Sequence, residues 1–203
     1  MNAEVQELIE DISTYNEFIQ PYNTAMAVVL AQLEGIQKDI EKTTGHKAIH
    51  SMRNRIKKAD SILEKMERKH MEPSFAMAKE CLTDIAGIRV MCYYIKDVYK
   101  VADILKKQLD AILVKESDYI ANPKPNGYRS LHIILGVPVY GAQSKEYYPV
   151  ELQIRTLAMD FWASMEHQLC YKSKREDKTQ MVQQLSDYSS KLNEMEKELE
   201  LFY

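Results

Sequence analysis

The sequence predicts an α/β (α+β) protein, a mixed β-sheet of about five strands packed with helices, on three observations. Apolar residues recur at helical spacing at both ends, strands and helices alternate through the middle, and two apolar strands flank a short Gly-containing turn. Val5, Leu8, Ile9 and Ile12 share one helical face, as do Met26, Val29, Leu30, Leu33 and Ile36, which predicts two N-terminal helices broken near Pro21. The segment "KTTGHK" ends the second of them. From Ile49 to Lys57 the chain reads as a strand. The helix that follows carries Ser61 and Glu64 at capping-box spacing and turns Ile62, Leu63 and Met66 inward. "DIAGIRVMCYYI" (84–95) is β-branched and aromatic enough for a strand, with a covering helix marked by Val98, Val101, Ile104 and Leu105. A further strand passes through Ile112 and Val114 into a loop at 118–132. "LHIILGVPVY" and "YYPVELQIRT" then flank Gly141–Glu146 as an antiparallel hairpin, and from Leu157 onward, past the single Trp162, the chain reads as helical.

At 203 residues, 45% hydrophobic and 28% charged, the chain is expected to form one globular domain. Eleven methionines suit adaptable helix packing. No apolar run approaches the roughly 20 residues of a membrane span, and the acidic start "MNAEVQELIEDI" is unlike a secretory signal, so a cytoplasmic location is expected. Cys81, Cys92 and Cys170 form no CxxC pair and read as ordinary buried thiols. A net charge of −3 argues against a protein that coats nucleic acid, but residues 53–69 hold seven bases against three acids. The tail from Glu176 to Tyr203 is the reverse, with seven acids against three lysines.

Three constellations carry chemistry. On a strand, Arg53, Arg55 and Lys57 share a face, and on the next helix Lys65, Arg68 and Lys69 do; converging, they suit a polyphosphate, and apart they are a solvated basic edge. In "VELQIRT", Val150, Leu152 and Ile154 alternate with Glu151, Gln153 and Arg155, so one face enters the core while the other offers a carboxylate, an amide and a guanidinium. Asp84, an acid opening an apolar strand, either caps that strand or meets Glu151 to share a divalent cation with substrate phosphates. In "DYIANPKPNGYRSLH" (118–132), Gly127 frees the turn, Pro123 and Pro125 stiffen it, and Lys124 can reach a phosphate. If the strand begins near Tyr128, then Tyr128, Ser130 and His132 share a face, with the Tyr128 ring available either to stack a purine or to fill the core.

Five ordered blocks, "RNRIKKADSILEKM", "DIAGIRV", "DYIANPKPNGYRSLH", "VELQIRT" and "MDFWASMEHQLCYK", resemble the synthetase domain of the RelA/SpoT homologue family, and at this length a stand-alone small alarmone synthetase. The resemblance implies a nucleotidyltransferase-like synthetase fold: a core over 45–175, N-terminal helices over 1–44 and a C-terminal helix over 176–203. It implies transfer of the pyrophosphate of ATP to the ribose 3′-hydroxyl of GTP or GDP, releasing AMP and forming the stringent-response alarmone (p)ppGpp. The family's hydrolase motif has no counterpart here, so synthesis without degradation is expected. Carried over by motif, Arg55 and Arg89 sandwich the adenine, and Lys57 and Lys65 hold the ATP phosphates. Asp84 and Glu151 bind Mg²⁺, and Glu151 also accepts the hydroxyl proton. Tyr128 stacks on guanine, while Lys124, His132 and Gln153 hold the acceptor's phosphates and ribose. Arg155 and Asp160 are further acceptor-site candidates, Asp160 standing where relatives often have asparagine; Ser117 replaces an expected basic residue. A homotetramer and activation by (p)ppGpp are implied as well.

Rival readings are a toxic relative that pyrophosphorylates the tRNA 3′ end or adenosine nucleotides, and a non-catalytic nucleotide- or RNA-binding regulator. A tRNA acceptor calls for a basic patch near 118–132, where the sequence supplies Lys115, Lys124 and Arg129. Leu185, Leu192, Met195 and Leu199 give the last helix an apolar stripe that either covers the core or contacts another subunit.

Overall fold

The computed structural model describes the backbone of residues 3–172 and 178–202, and the side chains of 13–169 and 181–202. Its elements run α1 (Ala3–Thr44), β1 (Ile49–Ile56), α2 (Ala59–Arg68), α3 (Phe75–Cys81), β2 (Ala86–Cys92), α4 (Ile95–Gln108), β3 (Ile112–Asp118), β4 (Leu131–Tyr140), β5 (Lys145–Thr156), α5 (Leu157–Lys172) and α6 (Lys178–Glu200). The five strands form one mixed sheet in the order β1-β2-β5-β4-β3. Only β2 and β5 pair in parallel; β1 and β2, β4 and β5, and β3 and β4 are antiparallel.

Strand alternation decides which face is dry. Along β5, Val150, Leu152 and Ile154 are buried, with Ile88 and Val90 of β2 and Leu131, Ile133 and Leu135 of β4 in the same core. Helices α1 and α4 pack on the sheet and on each other. Helix α5 crosses β5 and β2, and α6 lies against α5. Thr156 starts α5, its Oγ1 accepting the Met159 amide at 3.3 Å, so the last residue of the central strand turns the chain straight into the helix beside the site.

Two expectations are corrected. The N-terminal segment is one helix with Pro21 inside it, not two helices. Proline removes one backbone donor there, but Tyr22, Ala25, Met26, Val29, Leu33, Ile36 and Ile40 form a continuous buried stripe, and breaking the helix would expose part of it. The expected packing of Val5, Leu8, Ile9 and Ile12 lies outside the described side chains, as does the Cys170 thiol; Cys92 is buried and Cys81 partly so. The Ser61–Glu64 capping box does not form either. Helix α2 begins three residues earlier, with Lys58 in place of Ser61 at the N-cap and no side-chain cap, though Ile62 and Met66 are buried as expected. Helix α3 had no counterpart in the sequence reading; Ser74 caps it by accepting the Met77 amide at 3.2 Å. Met195 and Leu199 of α6 are exposed, whereas Leu185 is buried and its carbonyl accepts the Trp162 Nε1–H at 2.7 Å.

Because Leu33 is fully buried between α1 and the sheet, Leu33→Ala is expected to lower unfolding free energy by about 2–5 kcal/mol in a denaturant titration.

Candidate active site

Register lays two rows of side chains across the face of the sheet away from α1. In one row Arg55 stands opposite Gly87, Gly87 opposite Glu151 and Glu151 opposite Ile134; in the next come Arg53, Arg89, Gln153, His132 and Ser117. Paired residues share a face, so side chains about 100 residues apart in the chain become neighbours. Gly87 carries no side chain at the centre of the first row, and above it opens a cleft of about 190 Å³ lined by Arg53, Arg55, Arg89, Glu151 and Gln153. A second cleft of about 550 Å³ shares Arg55, Arg89 and Gln153 and extends to Tyr128, Arg155 and His167.

Asp84 precedes β2 by two residues. Its Oδ2 accepts from Lys57 Nζ at 2.8 Å and from Lys65 Nζ at 2.6 Å. Lys57 follows β1 directly and is held by its amide on the Ile85 carbonyl and by the Tyr15 hydroxyl on its own carbonyl. Of the two basic trios read from sequence, Lys57 and Lys65 converge; Arg68 and Lys69 stay exposed. Burial pushes the Asp84 carboxyl up, but the two ammonium hydrogen bonds and charges outweigh it and hold it below the usual carboxylate range. Its other oxygen, Oδ1, is buried with no hydrogen-bond partner. An orphaned anionic oxygen beside two lysines is a fitting ligand for a hard cation. Glu151 stands within the field of this group. Burial first, and then the Asp84 charge, raise its carboxyl above the ordinary value, with Lys65 and Lys57 partly offsetting them.

From Glu151 a polar chain leads to the loop. His132 Nδ1 lies 3.8 Å from Glu151 Oε1, and His132 Nε2 is 2.8 Å from the Tyr128 hydroxyl. Burial, with the Lys124 and Arg155 charges, lowers the imidazole pKa to about 4, so the ring is neutral at pH 7. A neutral ring accepting the tyrosine proton at Nε2 carries its own proton on Nδ1, toward the Glu151 carboxylate. Tyr128 meets His132 and Trp162 edge-on. The strand begins at Leu131, later than expected, and Ser130 is buried with its hydroxyl donating to the Ile154 carbonyl at 3.3 Å. Ser130 is thus a structural tie between β5 and the loop.

Arg155 and Asp160 form a third group. Arg155 is 2% exposed, and its Nε lies 3.1 Å from Asp160 Oδ1, close enough for ion pairing but without hydrogen-bond alignment. The same oxygen is 3.6 Å from Arg89. Asp160 therefore faces two arginines, Arg89 lining both clefts and Arg155 the second.

The loop is built by short-range polar contacts. Asp118 Oδ1 accepts the Ile120 and Ala121 amides, the Asn126 side chain accepts the Tyr128 amide at 3.2 Å, and the Asn126 amide group donates to Glu166 at 3.3 Å. Gly127 has φ +89, and a Cβ there would lie 2.8 Å from Ser186 Cα and Ser189 Cβ of α6. The Ser189 hydroxyl donates to the Gly127 carbonyl. Arg129 points away from the clefts: its guanidinium donates to the Ile120 carbonyl at 3.1 Å, and its charge reaches Glu196 of α6. It belongs to the loop's scaffold and adds nothing to the basic patch that a tRNA acceptor would call for. Sequence reasoning missed Asn126, Glu166, Ser189 and Glu196, whose roles depend on α5 and α6 approaching the loop.

Two outcomes follow from this geometry. Gly127→Ala combines a strained φ with a steric clash and is expected to destabilise the protein by about 1–3 kcal/mol in chemical denaturation. His132, lowered from 6.5 to about 4, refuses a proton that the unfolded chain binds between those values. Its contribution is therefore complete above about pH 6.5 and declines as pH falls toward 4. Stability of the wild type relative to His132→Gln should drop across that window in paired denaturation curves, and a flat difference contradicts the neutral buried ring.

Known proteins share this fold. A GTP pyrophosphokinase of Bacillus subtilis, YwaC, is 40% identical over 166 residues, 82% of this chain and 79% of its own length. The solved small alarmone synthetase 1 of the same organism, bound to its product pppGpp, superposes with a TM-score of 0.82 at 33% identity, covering 94% of this chain and 96% of that one. A second structure of that synthetase, bound to AMPCPP, gives 0.73 at 33% identity over 93% and 96%. The family described as the region found in RelA/SpoT proteins matches residues 54–176, which include Asp84, Glu151 and every cleft residue named above except Arg53. The chain belongs to the RelA/SpoT family.

Proposed function

We propose that this protein is a (p)ppGpp synthetase, a GTP diphosphokinase that transfers the pyrophosphate of ATP to the 3′-hydroxyl of GTP or GDP. One observation carries the reading: a glutamate raised by burial and by the charge of a lysine-bound aspartate lines an arginine-rich cleft, and a second cleft that shares Arg55, Arg89 and Gln153 with the first reaches Tyr128. The relatives named above are GTP pyrophosphokinases and alarmone synthetases, one solved with pppGpp and one with AMPCPP.

In this reading Arg55 and Arg89 hold the adenine of ATP in the smaller cleft, and Lys57 and Lys65 take its phosphates. Their ammonium groups now rest on Asp84, and phosphate oxygens can share them. Tyr128 receives the acceptor guanine, Gln153, Arg155 and Lys124 orient its ribose and phosphates, and Asp160 sets the two arginines between the clefts. Glu151 accepts the 3′-hydroxyl proton as the oxygen attacks the β-phosphorus; the new P–O bond forms, the bond to the α-phosphate oxygen breaks, and AMP departs. A raised carboxyl suits that role, since its conjugate base holds a proton better than an ordinary glutamate. His132, with Nδ1–H toward Glu151, orients the carboxylate. Asp84 and Glu151 are the residues that would hold Mg²⁺, and the unpartnered Asp84 oxygen supports that assignment. When bound, Mg²⁺ neutralises phosphate charge.

We carry the whole chain as one cytoplasmic synthetase unit. Homotetramer formation is part of the same proposal, supported by an apolar groove of about 440 Å³ between α5 and α6 that includes exposed Phe161, Met165 and Tyr188; activation by (p)ppGpp rests on the family resemblance alone. With Arg129 turned inward, Lys115 and Lys124 are left beside the loop, a thin basic surface for a tRNA backbone.

Purified protein with Mg²⁺ and ATP should yield AMP together with guanosine tetra- or pentaphosphate when GDP or GTP is added, and no product on a tRNA end. Glu151→Gln should lower kcat by about 100-fold or more while leaving the fold intact by circular dichroism. Wild-type protein that releases no AMP in any of these mixtures overturns the assignment.

A further inference from the structure

We propose that Tyr119 is a positioning residue of the acceptor site, acting through Lys124 to fix where the acceptor nucleotide's phosphates bind; this rests on the synthetase reading above. The Lys124 ammonium sits 4.6 Å from the centroid of the Tyr119 ring and 5.0 Å from that of Tyr128. Among the described residues no carboxylate forms an ion pair with it. Aromatic faces attract a cation through the ring quadrupole without neutralising its charge. A carboxylate in the same place would hold the lysine more firmly but would repel an incoming phosphate. The two rings thus restrain a flexible side chain and leave its full charge to the ligand.

Tyr119 is built to stay in place. Its amide donates to the Ser130 carbonyl at 3.0 Å, closing the loop onto the start of β4. Asp118, immediately before it, anchors the following turn through the Ile120 and Ala121 amides and accepts the Tyr99 hydroxyl at 3.0 Å. Its ring meets His132 edge-on at 5.2 Å and 89°, and Tyr128 at 6.1 Å and 65°. Tyr128 has a competing duty in the synthetase reading, because its ring receives the acceptor purine. Tyr119 has none: it does not line the cleft that Tyr128 lines. When a purine engages Tyr128, Tyr119 is the ring that keeps Lys124 at the loop beside the acceptor phosphates. The ring face, not the hydroxyl, is the working part.

The test compares wild type, Tyr119→Leu, Tyr119→Phe and Lys124→Met, using GDP binding by calorimetry and steady-state kinetics. Tyr119→Leu should raise both the Kd for GDP and the KM for GDP at least about fivefold, with the KM for ATP within about twofold. Tyr119→Phe should restore both acceptor constants to within about twofold of wild type. Added to Lys124→Met, Tyr119→Leu should weaken GDP binding by no more than about a further twofold, since the side chain it restrains is already gone. Leu and Phe variants that behave alike, a KM for ATP that rises in step, or independent effects in the double variant overturn the proposal. Wild-type protein that binds no GDP overturns it together with the synthetase reading. Wild-type protein that binds GDP, with a Leu variant that binds it equally well, overturns Tyr119 alone. Should Tyr119→Leu fail to fold, Tyr119→Phe and Tyr119→Met carry the same comparison, with the loss expected in Met.

Discussion

The two-residue period of β5 is the constraint on which the site depends. This strand lies third of five, paired on one side with β2 and on the other with β4. Val150, Leu152 and Ile154 enter the core beneath α1 and α4, so Glu151, Gln153 and Arg155 must face the other way. A slip of one residue would bury the carboxylate and expose the apolar set. Burial of the core thereby enforces the orientation of the chemistry.

Charges at the site are arranged as a chain of partial compensations. Two lysines share one oxygen of Asp84, and Asp160 stands between two arginines. Neither acid neutralises its surroundings completely, which leaves positive potential for phosphates while avoiding the repulsion of a bare cationic cluster. Glu151 is the exception. It lies close enough to Asp84 for their like charges to raise its proton affinity, and His132, neutral at pH 7, stands 3.8 Å from it without adding a charge.

The helices around the sheet hold this arrangement from outside. Tyr15 of α1 fixes the backbone of Lys57, and α6 touches the loop at Gly127 and approaches Arg129 through Glu196. Trp162 of α5 ties α6 down through the Leu185 carbonyl and offers its ring edge to Tyr128. The terminal helices are therefore part of the acceptor loop's support as well as cover for the core.

Much of this was legible in the chain itself. Strand and helix types, the hairpin, the alternating face of β5 and the special conformation at Gly127 follow from local spacing and residue chemistry, which act over a few residues whatever the fold. Pro21 misled because a local rule about backbone donors was outweighed by a buried stripe several turns long. Arg129 shows what local chemistry leaves open, because a guanidinium on a loop is equally suited to a phosphate or to a carbonyl, and only the positions of Ile120 and α6 decide between them. By itself the sequence determined the set of charged and aromatic groups and the faces on which they lie. Tertiary structure alone decided which of them meet, because Lys57 reaches Asp84, Glu151 reaches His132 and Lys124 settles between two rings only after sheet register and helix packing bring distant segments together.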